Sequence, residues 1–136
     1  MKKIYMIAFV LVATGLKSQI SLGQVISAEQ HFYKVELIEK YAKKLKLSSS
    51  QISYMKKEYK IAKKRFDENN EKLKGETQIL KQMASEEIVN EQKILQQLQK
   101  VLALENTIKA IRLTLYVRLK NKLTPTQKRR LDKLRE

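Results

Sequence analysis

The sequence holds no cysteine and no tryptophan, and only one histidine, one proline and three glycines among 136 residues. Without thiols there is no disulfide framework, no cysteine-based zinc site and no cysteine nucleophile, and a Ser-His-Asp triad would have to use the single imidazole, His31. The scarcity of Gly and Pro removes the residues that build the many tight turns of a sandwich or barrel. Lys, Glu, Gln, Leu and Ile dominate instead, and these suit long helices. The chain therefore reads as all-α, as one domain at most, and as no enzyme.

Acidic residues are absent from residues 1–23, which carry three lysines. Met1-Lys2-Lys3 precedes an apolar run from Ile4 to Leu16, and a polar stretch from Lys17 to Gln24 follows, the three-part layout of a secretory signal peptide. The run is short of the roughly 20 apolar residues that span a bilayer, which favours a cleaved signal over an anchor. No cysteine follows it to take a lipid. Small residues at Ser21 and Gly23 point to cleavage before Gln24, with cleavage after Ser18 as the rival. The expected organisation is a signal peptide over 1–23 and one helical domain over 24–136, exported and not stably inserted in a membrane. Residues 24–136 retain 26 Lys and Arg against 14 acids, a net charge of +12.

Apolar residues in the exported part recur at helical spacing. Ala28, Phe32, Val35, Ile38, Ala42 and Leu45 predict a first helix over 28–47. Ile52, Met55, Tyr59, Ala62, Phe66 and Leu73 form a heptad-like seam and predict a second over 48–74. Gly75 follows directly, where a left-handed C-terminal cap costs least, so the second helix is expected to end there. Ile79, Leu80 and Met83 suggest a short extra turn. Ser85, followed by Glu86 and Glu87, reads as the start of a third helix, with a capping hydroxyl and acids near the positive end of the helix dipole. Its stripe runs Ile88, Leu95, Leu98, Val101 or Leu102, Glu105, Ile108, Ile111 or Arg112, Leu115 and Leu119, about 54 Å at 1.5 Å per residue. This is expected to be the one long helix of the fold.

Two pentads share a design. In Leu47-Ser48-Ser49-Ser50-Gln51 and Leu123-Thr124-Pro125-Thr126-Gln127, Ser48 or Thr124 is placed as an N-cap. Gln51 or Gln127, three residues on, can reach back to the cap's own amide in a capping box. Pro125 suits the first helical position, where its missing N–H is no loss. Leu47 and Leu123 are placed as staples against the first turn. On this reading, loss of either hydroxyl costs about 0.5–2 kcal/mol, and truncating Gln127 costs less.

With a signal peptide, a basic helical chain and these two pentads flanking a long helix, the sequence resembles the Spy/CpxP family of bacterial periplasmic proteins, named for its LTxxQ motifs. The resemblance covers roughly 37–134. LTPTQ with Lys128, Arg129 and Arg130 after it matches the motif, and LSSSQ departs from it at Ser48. The resemblance implies a periplasmic location and a thin four-helix protomer that forms an antiparallel, cradle-shaped homodimer. It also implies an ATP-independent chaperone activity on unfolded envelope proteins, without a cofactor. Other members are envelope-stress or metal-response regulators that bind a membrane sensor protein, which is the alternative reading.

Charge is segregated along the chain. Residues 34–65 hold eleven Lys or Arg and three acids, 67–91 hold three and seven, and 93–135 hold twelve and two. Lys56, Lys57, Lys60, Lys63, Lys64 and Arg65 interleave with the second helix's apolar seam. Such a surface attracts an acidic or unfolded chain over distance and then offers apolar contacts. These six residues and Tyr54 are the candidate client-binding face. A solvated face that keeps the protein soluble is the plain alternative for any one of them. Anionic lipid is another partner for a basic helix. Nucleic acid is not expected, given export and the lack of a binding motif. His31 with Glu29, Glu36 and Glu39 does not converge at helical spacing, so no metal site is expected. Tyr33 and Tyr54 lie off the apolar seams and are expected to be exposed.

Overall fold

The computed structural model describes residues 28–135, in two units, 28–33 and 34–135. The predicted signal segment lies outside the described residues. The first unit contains a turn in which His31 N–H donates to the Ala28 carbonyl and Phe32 N–H to that of Glu29. A continuous helix from 28 is therefore not formed. The helical register that put Tyr33 off the seam does not apply in a turn, and Tyr33 is buried at 3% exposure.

The second unit is built of four helices: α1 (Val35–Leu45), α2 (Ser49–Ala84), α3 (Glu91–Lys122) and α4 (Pro125–Arg135). No strand occurs among the described residues, so the all-α expectation holds. α2 and α3 run antiparallel as a hairpin, while α1 and α4 pack together. At 1.5 Å per residue α2 is about 54 Å long and α3 about 48 Å. Two long helices thus replace the expected one.

The reason lies at Gly75, which does not end α2. It has no positive φ, and a Cβ placed there meets nothing within 4 Å. The seam read from Met55 to Leu73 continues beyond the glycine through Glu76, Leu80 and Met83, all partly covered. Side-chain packing along this continuous seam outweighs the roughly 1 kcal/mol that glycine costs in a helix interior. α2 stops instead at Ser85, whose hydroxyl donates to the Gln82 carbonyl at 2.7 Å. Ser85 therefore ends α2 and does not begin α3. Asn90 caps α3, its Oδ1 accepting from Lys93 N–H at 3.0 Å. Residues 85–90 form the link, and Ile88, expected at the head of the third helix's stripe, is 86% exposed.

The core is concentrated where all four helices end or begin. Leu45, Leu119 and Leu131, from α1, α3 and α4, are the largest fully buried side chains, and Ile38, Met55, Leu115 and Leu123 are buried too. α1 ends in a left-handed turn at Lys46 (φ 52°, ψ 49°). There Leu47 N–H returns to the Ala42 carbonyl and Lys46 N–H to that of Lys43, a Schellman-type closure made without glycine. Toward the hairpin tip the core thins to the α2–α3 seam.

Since Gly75 is helical and open, Gly75→Ala is expected to stabilise the fold by about 0.5–1 kcal/mol. Thermal or urea denaturation of the variant checks this; a loss of stability would indicate that α2 is broken at 75.

Candidate functional site

The two pentads come together at the base of the hairpin. Ser48 precedes α2 with extended backbone (φ −70°, ψ 157°), which turns its side chain onto the first helical turn. Gln51 N–H donates to Ser48 Oγ at 3.1 Å, and Ser48 N–H donates to Gln51 Oε1 at 3.0 Å. The same exchange occurs at α4. Gln127 N–H donates to Thr124 Oγ1 at 3.2 Å, and Thr124 N–H to Gln127 Oε1 at 2.9 Å.

The two glutamines also bond each other. Gln51 Nε2 donates to Gln127 Oε1 at 2.8 Å, and Gln127 Nε2 donates to Gln51 Oε1 at 3.1 Å. Each amide has one more N–H to place. That of Gln51 goes to the Lys122 carbonyl at 2.8 Å, and that of Gln127 to the Leu45 carbonyl at 3.3 Å. Each side chain thus makes two donations and two acceptances, its full capacity. Both residues are buried, at 9% and 8% exposure. The arrangement ties the carbonyl ends of α1 and α3 to the amide ends of α2 and α4. Arg130 adds to it, its Nη1 donating to the Lys44 carbonyl at 3.0 Å, where a cation complements the negative end of α1.

Beside this junction an apolar groove of about 240 Å³ opens between α1 and α2, lined by Ile38, Ala42, Leu47, Ile52, Met55 and Tyr59 among others, with Lys56 at its rim. Leu47 therefore faces the groove as well as preceding a helix. Lys60, Lys63 and Lys64 lie with Tyr59 on the adjoining shallow surface. At 100° per residue Lys56, Lys60 and Lys63 share one face of α2, Lys57 and Lys64 flank it, and Arg65 points to the other side. Arg65 instead borders a small recess with Ile111 and Arg118 of α3. The six basic candidates are all exposed, but they do not form one face.

Part of the positive charge is answered locally. Lys63 Nζ lies 2.6 Å from Asp67, and Lys64 Nζ 4.0 Å from Glu68, each one turn on. The hydrogen bond to Asp67, then its charge, raises the Lys63 ammonium above its ordinary pKa. Across the hairpin Arg118 meets Glu58 at 2.6 Å, and that hydrogen bond followed by the carboxylate's charge raises the guanidinium likewise. Tyr54 is half-buried, with Lys122 Nζ 4.7 Å from its ring centroid. No group of three His, Cys, Asp or Glu able to hold a metal occurs among the described residues. No described helix is long and apolar enough to cross a membrane.

Sequence reasoning treated each pentad alone and missed the glutamine pair, although two copies of one motif were the available signal. Compared with protein-family models, curated proteins and solved structures, the chain matches none.

The geometry also reverses the expected ranking of cap residues. Thr124→Ala removes one exposed cap, at about 1 kcal/mol. Gln127→Ala leaves the buried amide of Gln51 and the Leu45 carbonyl short of a partner and frees the Thr124 N–H, at about 2–3 kcal/mol. A double-mutant cycle with Gln51→Ala is expected to give a coupling of about 1–2 kcal/mol. Additive losses in urea denaturation would show that the two boxes act independently.

Proposed function

We propose that this chain is an exported, ATP-independent chaperone-like protein of the Spy/CpxP type. In this reading it acts in the periplasm as a homodimer, carries out no chemistry, and holds unfolded or misfolded envelope proteins against aggregation. The observation that carries the reading is the apolar groove between α1 and α2, open to solvent and continuous with exposed Tyr59 and with Lys56, Lys60 and Lys63. An unfolded chain presents scattered apolar side chains and, in acidic proteins, negative charge. A basic rim steers it in, and a shallow apolar floor holds it without a deep pocket's selectivity. The family reading is further supported by both pentads opening a helix and sharing one bonding pattern.

Capture in two stages has a distinct response to salt. Steering by exposed charge is screened within about 8 Å at physiological ionic strength, whereas apolar contact is not weakened by salt. The variant with Lys56, Lys60 and Lys63 all changed to Glu is expected to associate more slowly with an acidic unfolded client and to protect it less. Salt slows the wild type and affects the variant less. The check is client association rate against salt, with light scattering of the aggregating client. Superimposable flat lines would leave the lysines as a solubility device. A protein that gives no protection, while its deletion alters envelope-stress transcription, would be a regulator of a membrane sensor instead.

A further inference from the structure

α1 and α4 bring together two basic stretches that lie far apart in the chain. Residues 40–46 carry four lysines and no acid, and residues 120–135 carry seven Lys or Arg and one acid, Asp132. At 100° per residue, Lys40, Lys43 and Lys44 lie about 120–160° around α1 from buried Ile38, and Arg129 and Lys133 lie about 160° around α4 from buried Leu131. All five are exposed, as are Lys46 and Arg130. The two outer sides adjoin. Arg130 Nη1 reaches the Lys44 carbonyl at 3.0 Å, and Gln127 reaches the carbonyl of Leu45, next to Lys46.

So many like charges on one surface oppose folding by self-repulsion. On α2 the repulsion is relieved by acids within one turn, in the pairs Lys63 with Asp67, Lys64 with Glu68 and Lys74 with Glu71. The α1–α4 surface has no such balance. Its one carboxylate, Asp132, meets Arg135 at 3.9 Å, and the acids of α1, Glu36 and Glu39, lie in that helix's first half, with Glu39 on the groove. An aromatic side chain sits among the lysines. Tyr41 is half-buried, with Lys40 Nζ 5.3 Å and Lys44 Nζ 5.6 Å from its ring centroid. A ring with an apolar body and a polar tip suits the boundary between headgroups and water.

We infer that the outer face of α1 and α4 is a docking surface for an anionic bilayer. This takes from the proposed function only the export of the chain, which places it beside bilayers and away from nucleic acid. A bilayer offers many phosphates on a plane, and that matches cations spread over two short adjoining helices with no cleft between them. The other end of the hairpin has the opposite charge. Residues 85–91 hold three acids and no base, and α3 sets them about 48 Å from the base, several screening lengths of about 8 Å away. An anionic surface therefore attracts the base and repels the tip, and the hairpin stands away from the bilayer.

The test uses the processed chain, because the apolar run at 4–16 would enter a bilayer by itself. Co-sedimentation is measured with vesicles of phosphatidylglycerol and phosphatidylethanolamine and, separately, of phosphatidylcholine. The wild type is expected to pellet with the anionic vesicles at low salt, to leave them as salt rises, and to stay in solution with the neutral ones. A Lys or Arg near an anionic bilayer strengthens binding about fivefold. The variant with Lys40, Lys43, Arg129 and Lys133 all changed to Gln is therefore expected to bind at least about tenfold more weakly, with its helical circular dichroism retained. Loss of the same charge from α2, with Lys56, Lys57, Lys60 and Lys64 changed to Gln, is expected to weaken binding by less than about threefold. Since the chain has no native cysteine, single labels report its orientation. A fluorophore on Thr126→Cys, on the outer side of α4, is expected to be quenched by nitroxide-labelled headgroups, and one on Ile88→Cys at the tip is not.

Equal weakening by the two charge variants, or equal quenching at 126 and 88, would overturn the assigned surface. So would a wild type that ignores anionic vesicles, or one that leaves them for single-stranded DNA or polyglutamate, which would make the surface a site for another polyanion. Vesicle binding without client protection would overturn the chaperone reading and leave this inference standing. Protection without vesicle binding would do the reverse.

Discussion

The paired amides of Gln51 and Gln127 are the constraint on which the base of the molecule depends. Four helix ends meet there, and each leaves backbone groups that its own helix cannot satisfy. Capping by Ser48 and Thr124 satisfies some of them at the starts of α2 and α4. The glutamines then turn two local caps into one joint, by donating to each other and to the last carbonyls of α1 and α3. In a buried setting an unpaired amide is costly, so the two side chains hold the joint in one geometry and fix where α4 lies relative to α1. The fully buried leucines of α1, α3 and α4 then complete the core there.

Away from this joint the hairpin has little core and is aligned by polar contacts set into its seam. Gln97, buried at 5% exposure, donates both to the Glu76 carbonyl at 2.8 Å and to its side chain at 2.6 Å. Glu58 and Arg118 make the corresponding link nearer the base. Each works only when the two helices are in one register, since a slip of one turn would strand a buried amide or a largely covered carboxylate. The apolar residues supply adhesion along the hairpin, and these pairs supply its alignment.

A thin hairpin cannot enclose its apolar surface, and this connects the fold to the proposed function. α2 keeps Tyr59, Ile61 and Phe66 partly exposed, and α3 keeps Leu95, Leu102, Leu113 and Val117 so. On α2 the exposed apolar side chains stand among exposed lysines, the combination on which the proposed capture of clients rests. On α3 the partly exposed apolar residues recur at helical spacing with few charges among them.

Much of this was legible in the residues themselves. Helix type, the buried positions Ile38, Leu45 and Met55, and the hydroxyls and glutamines that open α2 and α4 are local properties, set within a turn or two by periodicity and by bonds between residues three apart, whereas Tyr59 and Phe66 of the predicted α2 seam stay exposed. Tertiary packing decided what local rules had assigned otherwise. Gly75 prefers to end a helix by only about 1 kcal/mol, less than the gain from a seam that continues to Met83, so α2 passes through it. The start of α3 moved from Glu86 to Glu91 because the link between two antiparallel helices needed residues 85–90, and Asn90 stood ready as a cap. The turn at 28–33 buried Tyr33, which helical periodicity had placed off the seam. The pairing of Gln51 with Gln127 joins residues 76 apart, and no local preference encodes a bond at that separation. Sequence alone determined which residues could cap and which could pack; the meeting of the helix ends decided which of them became one site.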